Sequence, residues 1–199
     1  MDALVIVDFQ NDFTPGGALP VPEGDTIAAP LARLLDRFDL VVATRDWHPP
    51  AHGSFAGVAL APGEWRGTAP AATWPVHCVQ DTPGAELHPS LDRAKVDVIV
   101  DKGADASEPG YSAFDGTGLA GLLRGRGVDR IVVAGLATDY CVRQTVLDAL
   151  DAGFAVVVVE DAIRGVDVEP GDSARAIAEM RAAGAVFVRS DEVAASAPA

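Results

Sequence analysis

The chain has 199 residues, of which 49% are hydrophobic and 22% charged, with a formal net charge of −14. This length suits one domain with a substantial core, and the composition is that of an ordinary globular protein. The negative charge disfavours nucleic acid as a partner, and without a basic cluster or an apolar run of spanning length no membrane association is expected.

The N-terminal stretch MDALVIVDFQ lacks the basic start of a signal peptide and reads as a first core strand, LVIVDFQ at 4–10. TIAAPLARLLDRF (26–38) follows with Ile27, Leu31, Leu34 and Leu35 on one helical face, and Pro30 is tolerated near the first turn. LVVATRD (40–46) is a second strand. The segment from about 49 to 95 breaks the rhythm. It is rich in proline and weak in periodicity, and so long an irregular stretch in a compact domain signals function, as a lid or a ligand loop.

Strands resume at VDVIVDKG (96–103), RIVVAGLATD (130–139), FAVVVVED (154–161) and VFVRSDE (186–192). Helical spacing falls between them at GLAGLLRGRG (118–127), ATDYCVRQTVLDALDAG (137–153) and SARAIAEMRAAG (173–184), the last two closing on glycine. In the second of these, Thr138 is a plausible N-cap, with Cys141, Thr145 and Leu147 to Leu150 along the helix. The strands are nearly continuous in Val and Ile, as strands covered on both faces must be. The expected fold is therefore a three-layer α/β/α domain over residues 1–192, with a mostly parallel sheet of about six strands and a frayed tail at 193–199.

In such sheets ligands bind beyond the carboxyl ends of the strands. Asp8, Asp46 with His48, Lys102 and Cys141 all fall on that rim. A cysteine by itself is more often buried packing, but the first turn of a helix beside a lysine favours a thiolate. Asp8 is then placed to take the thiol proton, which makes Cys141 a candidate nucleophile. Asp12, in the same QNDF stretch, reads as a turn or cap residue.

In RDWHPPAHGSF (45–55), an extended backbone turns Asp46 and His48 to the same side, which is half of a metal site with N and O donors. WPVHC (74–78) offers His77 as a third ligand; the alternative is a pair of surface histidines bonded to local backbone. His52 could be a ligand, a supporting group or a loop residue. His88 reads as a surface residue and Cys78 as structural. Only two cysteines, far apart, argue against a disulfide framework and for a cytoplasmic location.

Taken together, VDFQNDF, RDWHPPAHGSF, WPVHC, DKG followed by YSAF, and GLATDYCV resemble the nicotinamidase/pyrazinamidase branch of the isochorismatase-like cysteine hydrolases, over roughly residues 4 to 190. The resemblance implies an isochorismatase-like fold with Asp8, Lys102 and Cys141 as catalytic triad. It also implies a cis peptide before Ala137 and an oxyanion hole from the backbone N–H groups of Ala137 and Cys141. Asp46, His48 and His77 would hold one divalent metal ion, zinc foremost, with iron and manganese as alternatives; His52 is not counted as a ligand. Phe13, Trp74 and Tyr111 match positions that wall the ring pocket, or else are core aromatics. The implied activity is hydrolysis of nicotinamide, and of pyrazinamide, through a cysteine thioester in NAD salvage, with a homo-oligomer left open. Rival readings are an amidase for a carbamoyl or ureido substrate and a non-catalytic metal- or ligand-binding protein.

Overall fold

The computed structural model describes residues 1–61, 64–66 and 74–193. Six strands, β1 (Asp2–Val7), β2 (Val41–Asp46), β3 (Val98–Lys102), β4 (Arg130–Leu136), β5 (Ala155–Arg164) and β6 (Val186–Val188), form one sheet in the order β3-β2-β1-β4-β5-β6. Every pairing is parallel, as buried strands rich in Val and Ile require. Along β1 the side chains alternate between two core layers: Ala3, Val5 and Val7 enter one, Leu4 and Ile6 the other.

The first layer is closed by α2 (Leu119–Gly125), α3 (Arg143–Asp151) and α4 (Asp172–Ala182). The second is closed by α1 (Ala28–Leu34), which is extended by a tighter turn at each end, Gly24–Ile27 and Leu35–Arg37. Ile27, Leu31, Leu34 and Leu35 are all buried, as their spacing predicts. Withdrawing those four side chains from water contributes roughly 6–12 kcal/mol before conformational entropy is subtracted. The irregular segment also serves the second layer, through Cys78, Ala85, Leu87 and Leu91. No helix among the described residues is long and apolar enough to cross a membrane.

Several boundaries differ from the sequence reading, each for a local reason. The first strand ends at Val7 because Asp8 takes a left-handed backbone, φ 48. The fourth ends at Leu136, before a cis Leu136–Ala137 peptide. Thr138 is not the cap. Ala137 holds that position with an extended backbone, and the chain enters a wide π-type turn, Thr138–Val142, before α3 begins. The buried face of that helix runs through Cys141, Val142, Thr145, Val146 and Ala149, while Leu147 is only half-buried. Val193, expected in the tail, is packed in the second layer, where its carbonyl accepts from Arg37; residues 194–199 lie outside the described residues.

The strand order reverses direction between β1 and β4, which opens a crevice at their carboxyl ends. Val7 pairs with Gly135, so both strands deliver the chain to that crevice at the same height. A side chain at residue 135 would sit 2.0 Å from the Val7 carbonyl oxygen, and its φ is +125. Only glycine lets β4 approach this closely and bend where it enters the site.

Candidate active site

Three strand ends and one helix start bring the chemistry together. Asp8 follows β1, Asp46 and Lys102 are register partners at the ends of β2 and β3, and Cys141 lies in the turn after β4. Lys102 is 1% exposed and reaches across the sheet edge. Its Nζ lies 2.7 Å from Asp8 Oδ2, donates to Asp46 Oδ1 and to the Gly110 carbonyl (2.5 Å), and stands 3.4 Å from Cys141 Sγ. A carboxylate oxygen of each aspartate and the cysteine sulfur lie within 4.8 Å of one another. That cluster has a cation among its members already, the ammonium of Lys102.

Asp8 is fully buried. Its Oδ1 accepts from the Thr44 hydroxyl (2.6 Å), whereas Oδ2 has no aligned hydrogen bond despite the nearby ammonium. Burial pushes the Asp8 carboxyl up to about 6, against the opposing pull of Lys102. The Lys102 ammonium is itself buried, which works against its charge, yet Asp46 and Asp8 outweigh this and hold it well above the usual lysine range. Cys141 departs from the sequence expectation. Burial drives its thiol well above the ordinary value, and the nearby Lys102 does not reverse this. The resting side chain is therefore a neutral thiol that needs a base, and Asp8, ionised near neutral pH, is the base within reach.

Beside this cluster, Asp46 Oδ2 lies 3.5 Å from His48 Nε2 and 3.8 Å from His77 Nε2. All three side chains are buried, and their donor atoms group within 4.8 Å. The second ring nitrogen of each histidine is bonded to a carbonyl: His48 Nδ1 to Gly103 (2.9 Å) and His77 Nδ1 to Pro75 (2.7 Å). A carbonyl can only accept, so both rings carry hydrogen on Nδ1 and turn Nε2, the nitrogen a metal ion would take, toward Asp46. Ligands about 2.0–2.1 Å from a tetrahedral ion stand roughly 3.4 Å apart, close to these spacings. The trio fits a divalent metal ion. Burial would raise the Asp46 carboxyl, but Lys102 and then His48 outweigh it and hold the group well below the usual carboxylate range. Asp46 thus offers one oxygen to the lysine and the other to the imidazoles.

His52 supports this site without joining it. Its ring stacks on His48 at 3.9 Å, and its nitrogens are bonded to Ser54 Oγ and the Glu108 carbonyl, both at 2.7 Å. Burial, with a smaller push from His48, lowers it to about 4, so it stays neutral. Gln10 clasps the Asp46 backbone from both sides, accepting from its N–H and donating to its carbonyl, each at 2.8 Å. Asp12 accepts from the Cys78 N–H (2.7 Å) and so anchors the chain next to His77. Cys78 is buried, and its thiol too is raised well above the ordinary value by burial. His88 is half-buried against Phe9, 4.8 Å between ring centres, rather than free on the surface.

Both clusters open into one pocket of about 480 Å³, part of it open to solvent. Asp46, His48, His77 and Cys141 line it. Phe13, Trp74 and Tyr111 line it as the motifs suggested, and Trp74 Nε1 donates to the Tyr111 hydroxyl at 3.0 Å. Leu19, Val21, Pro109, Tyr140 and Val166 add to the apolar wall without having been foreseen. Tyr140 was readable as the neighbour of Cys141; Val166 comes from the loop after β5, which carries no local signal. Ala137 also lines the pocket, and its carbonyl accepts from Tyr140 and Val142 N–H groups, passing over that of Cys141.

A family model described as "Isochorismatase domain" matches residues 2–192. The chain belongs to the isochorismatase family. Within that family it is 48% identical to a nicotinamidase of Escherichia coli K12, over 93% of each chain. Among solved structures, the pyrazinamidase of Pyrococcus horikoshii in complex with zinc shares 44% identity with a TM-score of 0.80, covering 94% of this chain and 98% of the other. PnC1 from L. infantum in complex with nicotinate gives a TM-score of 0.85 at 37% identity, covering 98% and 96%. The family match spans the whole sheet and both clusters.

Proposed function

We propose that the protein is an amidohydrolase that converts nicotinamide to nicotinate and ammonia, in NAD salvage, and accepts pyrazinamide as well. One observation carries this reading: the pocket that holds Cys141 also holds the Asp46, His48 and His77 trio, between aromatic walls that suit a flat ring. The nicotinamidase and pyrazinamidase relatives support it. Asp46, His48 and His77 would hold a divalent ion, which would supply a Lewis-acidic handle for the ring nitrogen of the substrate. Two imidazoles and a carboxylate suit zinc, and the zinc-bound relative supports that choice; iron(II) and manganese accept the same donors. Both cysteines are free, which suits the reducing cytoplasm.

Asp8 accepts the thiol proton as Cys141 Sγ attacks the carboxamide carbon. The developing oxyanion is met by the backbone N–H groups of Ala137 and Cys141. Asp8 returns its proton to the nitrogen as the C–N bond breaks, which releases ammonia and leaves a thioester. Water then attacks the thioester carbon and gives a proton to Asp8. The C–S bond breaks, the proton passes from Asp8 to sulfur, and the acid departs as nicotinate, its own proton going to the solvent. Lys102 stays protonated throughout, balancing Asp8 and Asp46 and steadying the thiolate.

The deciding assay measures ammonia release from nicotinamide, with and without a chelator, alongside metal analysis of the purified protein. Release that is absent with nicotinamide but present with a carbamoyl or ureido amide would refute the substrate assignment. The acid limb of the rate is set by Asp8. Below its pKa of about 6 the carboxyl is protonated and cannot accept the thiol proton. kcat/KM is therefore expected to fall about tenfold per pH unit below 6, and a flat profile down to pH 4.5 contradicts the role of Asp8. His48→Ala removes one of three donors. It is expected to weaken metal binding at least about a hundredfold and to raise KM, as measured by metal content after dialysis and by steady-state kinetics.

A further inference from the structure

The turn that presents Cys141 contains a second carboxylate, Asp139, which the mechanism does not use. It is buried, and its carboxylate engages the loop after β5. Its Oδ1 accepts from the Val166 N–H (2.9 Å) and its Oδ2 from the Asp167 N–H (2.7 Å). Both oxygens of one side chain thus hold two successive backbone donors of a single loop. Val166 lines the pocket with Cys141. The loop is fixed from its other side as well, since the Asp167 carboxylate accepts from the Ser173 N–H (2.8 Å) and hydroxyl (2.7 Å) at the start of α4. Packing here is close: a Cβ on Gly165 would lie 1.8 Å from Ser173 Oγ and 3.1 Å from Asp139 Oδ1. The pocket wall is therefore pinned to the nucleophile's own turn by a charge-assisted pair of hydrogen bonds.

We infer that Asp139 is a specificity-determining positioning residue, which sets the distance between Val166 and Cys141 and so limits the size of the ring the pocket admits. The inference deepens the nicotinamidase reading of this pocket and rests on it. Asp139→Asn leaves one oxygen to accept, and sets an NH2 group against the other backbone N–H. The wall should loosen while the thiol, Asp8 and Lys102 keep their places.

The test compares nicotinamide with a two-ring analogue, quinoline-3-carboxamide, in the metal-loaded enzyme, and follows hydrogen exchange at the Val166 and Asp167 amides. In Asp139→Asn, exchange at both amides should speed at least about tenfold, KM for nicotinamide should rise about tenfold, and kcat should change by less than about threefold. The preference in kcat/KM for nicotinamide over the larger amide should drop about tenfold. Val166→Ala should lower that preference too, and the double variant should lower it no further. Unchanged amide exchange, a loss in kcat alone, or additive effects in the double variant would overturn the inference. If Asp139→Asn does not fold, Val166→Ala decides: an unaltered preference overturns the inference, and a lowered one sustains it. A parent protein inactive on nicotinamide refutes the assigned reaction instead, and the exchange rates then decide the tether alone.

Discussion

Cys141→Ala is expected to lower kcat for nicotinamide by about 10⁴-fold or more while leaving metal content and Tm close to those of the parent. Among the described residues, the Cys141 sulfur is the atom that the proposed mechanism asks to form the thioester. It opens into the pocket, stands 3.4 Å from Lys102 Nζ, and has its base within 4.8 Å. The metal should be indifferent to the change, because the donors of the trio come from Asp46, His48 and His77. Cys78, the other thiol, offers no substitute, being buried among apolar residues of the second core layer. Ammonia release, metal analysis and a thermal melt on one preparation check all three parts. Substantial amidase activity in this variant would remove the covalent mechanism, and loss of metal would mean the two clusters are wrongly divided.

Lys102→Met should act on stability as much as on rate. The ammonium is the buried cation shared by Asp8 and Asp46, and its removal leaves two carboxylates, almost wholly out of water, without it. Breaking a buried pair in this way costs about 3–5 kcal/mol, or about 6–20 °C in Tm for a chain of this size. The loss should depend on pH in a defined sense. Burial already holds the Asp8 carboxyl above its ordinary value, and without the lysine it rises further. An acid with a raised folded pKa destabilises the fold as pH climbs and it must ionise, so the penalty should be larger at pH 8 than at pH 5. Adding Asp8→Asn should restore part of the lost Tm, since it removes one of the stranded charges. A Lys102→Met protein that melts within about 2 °C of the parent at pH 8 would show that the lysine does not hold these charges.

Much of this was legible before any coordinates. Strands buried on both faces must be apolar along their whole length, so their polar terminators stand out, and Asp8, Asp46 and Lys102 are such terminators. Parallel crossovers then place those ends on one rim, which is why a lysine and a cysteine 39 residues apart could be assigned to one site. The four-residue face of α1 and its flanking turns was equally plain, because helical spacing records which side meets the core.

What escaped the sequence depends on distances between segments that have no local signature. Thr138 has the residue type of a cap, but the chain turns wide at Ala137 and does not use it. A cysteine near a helix start and a lysine reads as a thiolate, yet the depth of burial, which no spacing reveals, pushes the thiol the other way, and the proposed mechanism therefore calls on Asp8 as its base. Its motif leaves His52 open as a ligand, a supporting group or a loop residue, and only the folded loop shows its nitrogens bonded to Ser54 and Glu108. Val166 and Asp139 meet across 27 residues through backbone amides, which every sequence supplies and none advertises. Residue types and periodicity thus determined the architecture and which reactive groups share its rim. Solvent exclusion and loop packing decided their charge states and partners, because both depend on the whole fold around each atom.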